Sequence, residues 1–162
     1  MITFPFLEKE HKDEWLPQLF DLFYANMHTV APTHLPYAEE KAQWLNNVSP
    51  ALEKPPRKIV LCFVGGALAG YVQYYVRNDL LMVEELQLKK AYHGTGVLLR
   101  LLQYLDSVIP ESVKTIEAYA HKRNLRSQTL MHKLGMREIP EPDGSPFVHF
   151  QGETQRLRKI LP

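Results

Sequence analysis

The chain has 162 residues, a formal net charge of +1 and a single cysteine. That length suits one domain with a normal core, and the mixed charge predicts no nucleic-acid footprint, since the densest basic patch is the short QRLRK near the end. The lone Cys62 excludes an internal disulfide and a cysteine metal cluster, and suits a reducing cytosol.

Ile2–Leu7 reads as a first strand, with Pro5 placing it at an edge or a bulge. The charged run that follows does not read as a signal peptide, and the longest apolar run, Ile59–Val64, is far too short to span a bilayer. From about Asp13 to Met27, Trp15, Leu16, Leu19, Phe20, Leu22 and Phe23 form the apolar face of a helix. Pro17 falls near its first turn, where a missing donor costs little. Residues 25–35 lack periodicity. His28 and His34 stand there without further ligands at metal spacing, so no metal site is expected. A second helix is predicted from Pro36 to about Asn47, followed by a proline-rich connector, Val48–Arg57.

Lys58–Val64, Gly65-Gly66 and Ala67–Val76 read as a hairpin on a two-glycine turn. Tyr71, Tyr74 and Tyr75 are expected as half-buried strand residues, and Cys62 as an inert core thiol. After Asn78-Asp79 comes a central strand, Leu80–Leu88. Simple alternation puts Met82, Glu84, Leu86 and Leu88 on one face and Glu85 on the other.

Gly94-Thr95-Gly96 breaks that pattern, and Val97, Leu98, Leu101, Leu102 and Leu105 then recur at helical spacing until near Pro110. A strand, glycine turn and helix aim free backbone N–H groups and the positive end of the helix dipole at one point, which suits a phosphate. The turn carries no GxxxxGK[ST] and lacks the third glycine of a dinucleotide fingerprint. Lys114–His121 is a fifth strand. Asn124 reads as the N-cap of a helix with Ser127, Leu130, Met131 and Leu134 on one face and Gly135 as terminator. Met136–Ile139 and Phe147–Phe150 are strand-like around an acidic, proline-rich loop, and Thr154–Leu161 is predicted as a closing strand.

The hexapeptide His93-Gly94-Thr95-Gly96-Val97-Leu98 resembles the acetyl-CoA pyrophosphate loop of the GNAT N-acetyltransferases, [QR]-x-x-G-x-[GA]. Gly96 matches the central glycine and Gly94 the frequent R-G-x-G form, while His93 and Leu98 depart from the pattern. A second block, from Asn124 to Met136, is similar to the family's N-x-x-A-x-x-L-Y-x-K-x-G-F, and VGGALAGYVQYY resembles its second and third strands.

The resemblance implies an α/β (α+β) fold over residues 1–162: a mixed, mostly antiparallel sheet of six to seven strands flanked by about four helices. It implies acetyl-CoA as acyl donor, no metal, and transfer to a primary amine of a small molecule or peptide by direct attack. The backbone of His93, Gly94, Thr95, Gly96, Val97 and Leu98 would hold the pyrophosphate. Splayed fourth and fifth strands would offer Leu86 and Leu88 to the pantetheine amides, with the Leu88 N–H at the oxyanion and Asn124 at the cofactor arm.

Glu84, in Val83-Glu84-Glu85-Leu86-Gln87-Leu88, matches the glutamate of [ILV]-E-[DE]-x-x-V and is the implied base, acting directly or through a water. Met131 stands near the cofactor where the family often has a tyrosine acid, so Tyr119 and His121 are the candidates to replace it. Segments 25–36 and 139–150 would border the acceptor, and Asp79, Glu84 and Glu85 lean towards a cationic one. Neither nucleic acid nor membrane is an expected partner, the family's frequent homodimers extend here as an expectation, and the cytoplasm is the expected compartment. A CoA-binding sensor or scaffold without catalysis is the rival reading, and transfer to a hydroxyl or of a longer acyl chain is a third.

Overall fold

Two apolar layers sandwich one seven-stranded sheet. The structure, a computed structural model, describes residues 1–161. Its strands are β1 (Ile2–Thr3), β2 (Lys58–Val64), β3 (Ala67–Arg77), β4 (Leu80–Leu88), β5 (Thr115–His121), β6 (Arg137–Ile139) and β7 (Phe147–Glu153), in the spatial order β1-β2-β3-β4-β5-β7-β6. Only β4 and β5 pair in parallel; every other neighbouring pair is antiparallel. The helices are α1 (Lys12–Met27), α2 (Tyr37–Leu52), α3 (Val97–Val108), α4 (Leu125–Lys133) and α5 (Thr154–Ile160). Among the described residues, no helix is long and apolar enough to cross a membrane.

The faces follow from alternation along β2. Ile59 and Leu61 pack with Leu16, Leu19, Phe20 of α1 and Trp44, Val48 of α2. Val60 and Cys62 point the other way, into a larger core with Leu101, Leu102 and Leu105 of α3, Met131 of α4 and Leu157 of α5. Burial pushes the Cys62 thiol up to about 11, as expected of an inert core cysteine.

Strand β4 breaks the alternation, and this corrects the sequence reading. Its register against β3 runs Tyr74↔Val83 and then Gln73↔Glu85, leaving Glu84 as an extra, unpaired residue. Leu81 and Val83 face the α3 side before this bulge; Leu86 and Leu88 face it after. One inserted residue shifts the phase by one, so Glu84 and Glu85 share the α1/α2 face. Glu84 is therefore on the opposite face from Leu86 and Leu88, not with them.

Three further expectations change. Thr154–Ile160 is a helix rather than a closing strand, because Leu157 and Leu161, four apart, bury one stripe while Arg158 reaches Asp106 on α3 at 2.8 Å. The second helix continues through Val48 to Leu52, extending the apolar stripe from Trp44 with Pro50 in its last turns. The first strand is only Ile2–Thr3, with an isolated bridge from Phe6 to Val60.

Gly70 sits opposite Leu88 where β3 and β4 approach closely. A Cβ there would collide with the Gln87 carbonyl oxygen and lie 3.2 Å from the Leu88 Cα. Gly70→Ala should therefore destabilise by about 1–3 kcal/mol, read as a lower midpoint in urea unfolding.

Candidate functional site

The β4–β5 ladder runs from Leu80↔Thr115 to Val83↔Ala118 and stops. Beyond it the strands part, with Glu84 on β4 and Tyr119 on β5 as the first residues past the last pair. The bulge lies at this point of parting. The direction of the free backbone groups follows from hydrogen bonding on the other side of β4. Lys89 N–H donates to the Ala69 carbonyl at 2.8 Å, so Gly70 and Leu88 are a non-hydrogen-bonded pair. Leu88 consequently turns its own N–H and C=O away from β3 and towards the gap, and Leu86, two residues earlier, does the same.

The Leu88 carbonyl is occupied by this chain: Asn26 Nδ2 reaches it at 3.1 Å and His93 Nε2 at 2.9 Å. Asn26 also donates to Gln87 Oε1 at 3.0 Å, pinning the end of α1 to β4. The gap leads to the glycine turn. Gly94 and Gly96 have φ of 78° and 82°, the left-handed region that glycine adopts without strain. A Cβ at either would meet nothing within 4 Å, so the loop faces open space. Gly96 is the N-cap of α3 and offers no side-chain cap, which leaves the first N–H groups of the helix without an intrahelical partner. Thr95 Oγ1 donates back to the Tyr92 carbonyl at 2.6 Å; Val97 is buried and Leu98 packs at the edge of the core.

On the α1/α2 face, the two glutamates of the bulge differ. Glu84 accepts from Arg57 Nε at 3.0 and 2.9 Å, from Arg57 Nη2 at 2.8 Å and from Gln73 Nε2 at 3.0 Å. Both partners of this ion pair are partly solvated, so it is worth about 1 kcal/mol or less, and its effect is to orient the carboxylate. Gln73 Oε1 is buried and finds no partner among the described residues, an unmet acceptor costing about 1–3 kcal/mol. Glu85 is turned into the helix layer, accepting from Trp44 Nε1 at 3.1 Å and from the Tyr71 hydroxyl. Burial holds the Glu85 carboxyl above the usual carboxylate range despite those two donors, and burial with the Glu85 charge raises Tyr71 well above a normal phenol.

Tyr119 and His121 lie past the parting on β5 but are tied to β7. The Tyr119 ring stacks on His149 at 4.4 Å, and burial, reinforced by Glu141 and Glu117, raises its phenol. His149 stands between Glu117 (3.1 Å) and Glu141 (3.0 Å). His121 accepts from the Arg123 N–H at 3.1 Å, with its ring edge-on to Phe147. Asn124 caps α4 by accepting from Ser127 N–H at 3.1 Å, and its Nδ2 lies 3.8 Å from the Met27 sulfur. Met131 is buried in the core beneath α4. Among the described residues, no three His, Cys, Asp or Glu side chains form a group able to hold a metal ion.

The profile of the acetyltransferase (GNAT) family matches residues 8–136. The chain belongs to this family. No curated protein matches its sequence. Among solved structures, an acetyltransferase from Thermus thermophilus superposes with a TM-score of 0.73 at 14% identity, covering 94% of this chain and 97% of that one. The paia N-acetyltransferase of Thermoplasma acidophilum, in complex with coenzyme A, gives 0.68 at 16% identity over 94% and 99%. The yncA protein of Salmonella typhimurium, solved with acetyl-CoA, gives 0.58 at 16% identity over 94% of each chain. The mixed, mostly antiparallel sheet and the helices of this chain are thus those of the GNAT fold.

Within this GNAT chain, sequence reasoning missed Arg57, Gln73 and Asn26. Arg57 lay in an unpatterned connector and meets Glu84 across 27 residues, a pairing with no local signal. The bulge did leave a trace: the apolar pairs Leu81/Val83 and Leu86/Leu88 are out of phase with one another. The Glu85 carboxyl yields a stability prediction. Its folded value is raised, so its contribution is full below about pH 4.3 and is lost as pH rises through the folded value. Glu85→Gln keeps an acceptor for Trp44 and cannot ionise. The melting-temperature difference, mutant minus wild type, should therefore grow from pH 4 to pH 8; a flat difference by calorimetry would show that burial does not raise the Glu85 carboxyl.

Proposed function

We propose that this GNAT protein transfers an acetyl group from acetyl-CoA to a primary amine by direct attack, with no acyl-enzyme. The observation that carries this reading is the parting of β4 and β5 at Val83/Ala118, with the Leu86 and Leu88 amides facing the gap and the uncapped glycine turn of α3 at its end. Bound acetyl-CoA supplies an acetyl thioester, whose carbon–sulfur bond breaks as the carbon–nitrogen bond to the acceptor forms. The N–H groups of His93–Leu98 cradle the pyrophosphate, Leu86 and Leu88 pair with the pantetheine amides as an added strand would, and Asn124 adds a polar contact beside the arm. In this reading the Leu88 N–H donates to the developing oxyanion.

An alkyl ammonium with pKa about 10.4 is neutral in roughly one molecule in 2,500 at pH 7, a penalty of about 4.6 kcal/mol. Removing that proton is the larger task, and Glu84, at the mouth of the gap, takes it directly or through a water. The leaving thiol, with pKa about 8.5, needs less help. Tyr119 and His121 are the β5 side chains assigned to return a proton where Met131 has none. The reducing cytoplasm suits the single buried thiol. A CoA-binding module without turnover is the second reading, favoured by Met131 and by the Arg57 fork that engages Glu84.

Two measurements test the proposal. Gly96→Glu places a negative charge and a side chain at a left-handed position in the cradle, which should cost about 1–2 kcal/mol of stability and abolish the thermal stabilisation conferred by CoA. Unchanged CoA binding in the folded mutant would remove the cofactor reading. Glu84→Gln should lower kcat/KM by about 10²–10³ at pH 7, with CoA affinity retained. The deficit should shrink towards pH 10, where neutral amine is abundant. A deficit independent of pH would assign Glu84 to acceptor binding rather than proton removal.

A further inference from the structure

Two of the three carboxylates that lean the sequence reading towards a cationic acceptor are already engaged, and the third, Asp79, is exposed on the turn between β3 and β4. Glu85 is turned into the helix layer between Trp44 and Tyr71, and Glu84 is matched by Arg57. Glu117, still within the β4–β5 ladder opposite Met82, and Glu141 both contact the one imidazole of His149. Beside Glu84, this side of the mouth also offers cationic donors that are not fully spent. Arg57 spends its Nε and Nη2 on Glu84, and its Nη1 takes no partner among the described residues, while 37% of the side chain is solvent-accessible. Its guanidinium lies over the Tyr75 ring at 5.1 Å, and Arg77 lies over the same ring at 5.6 Å. Arg77 is exposed and makes no ion pair with any carboxylate among the described residues.

We propose that the acceptor is an α-amino acid, its amine met by Glu84 and its carboxylate by the free edge of Arg57, with Arg77 adding to the field. This rests on the N-acetyl-transfer reading above and names its substrate class. An α-amino acid carries amine and carboxylate on one carbon, and Arg57 and Glu84 present the opposite charges side by side at 2.8–3.0 Å. A guanidinium held rigidly over an aromatic ring, with an N–H₂ edge outward, matches the plane of a carboxylate. A diamine would set its second cation against Arg57 and Arg77, and a peptide N-terminus lacks the neighbouring carboxylate.

The test is CoA release with a pool of the twenty common amino acids, the pool of their carboxamides, 1,4-diaminobutane and a short peptide. The amino acids should exceed the amides by about 10- to 100-fold in kcat/KM, mainly through KM. Arg57→Lys keeps a cation beside Glu84 but has no second edge, and should collapse the acid-to-amide ratio towards one. Arg77→Ala, at an exposed position, should narrow the ratio as a second variant. Equal use of acids and amides, or preference for the diamine or peptide, overturns the proposal and leaves N-acetyl transfer standing. Should no amine be acetylated, the transfer reading falls, and saturation-transfer NMR of the CoA-loaded protein with the same pools decides the site. Binding of acids over amides, lost in Arg57→Lys, upholds it; equal or absent binding overturns it.

Discussion

The site depends on one extra residue in β4. A strand that kept strict alternation through Leu88 could not bury Leu81 and Val83 on the α3 side and also bury Leu86 and Leu88 there. Glu84, unpaired in the register, resolves that conflict by shifting the phase. The same insertion sits where β4 leaves β5, and two consecutive glutamates then share the α1/α2 face.

From that shared face the two carboxylates take different environments. Glu85 enters the helix layer, is met by Trp44 and Tyr71, and is held above the usual carboxylate range by burial. Glu84 stays at the rim, oriented by Arg57 and Gln73 and still in contact with solvent. The bulge thus leaves one carboxylate in contact with solvent at the rim and turns the other into the helix layer, and the proposed role of Glu84 rests on that difference. The Arg57 ion pair is too exposed to matter much for stability. Its consequence is a fixed carboxylate with a second charged edge beside it.

Helix α1 and the loop before α3 anchor β4 at Leu88. Asn26 at the end of α1 and His93 before the glycine turn both donate to the Leu88 carbonyl, so that carbonyl is satisfied within the chain while the N–H of the same residue faces the gap. His93, which departs from the family's usual Gln or Arg, thus has a structural use in this chain. Asn124 similarly joins the α4 cap to Met27 of α1, linking the two halves across the mouth.

The local parts of this fold were legible in the residues. The hairpin over Gly65-Gly66, the stripe from Val97 to Leu105, the left-handed glycines before it and the Asn124 cap each depend on neighbours within a few positions, and each lies where its pattern placed it. A helix over Thr154–Ile160 was legible too, in Leu157 and Leu161 four apart, against the strand expected there. Tertiary structure alone decided the rest. Whether β4 carries a bulge depends on which face β3 and α3 require of it, and whether Arg57 reaches Glu84 depends on how α2 returns the chain to the edge of β2. Local sequence sets the periods of helix and strand, but the phase between them, and every ion pair across the sheet, is set by contacts between residues distant along the chain.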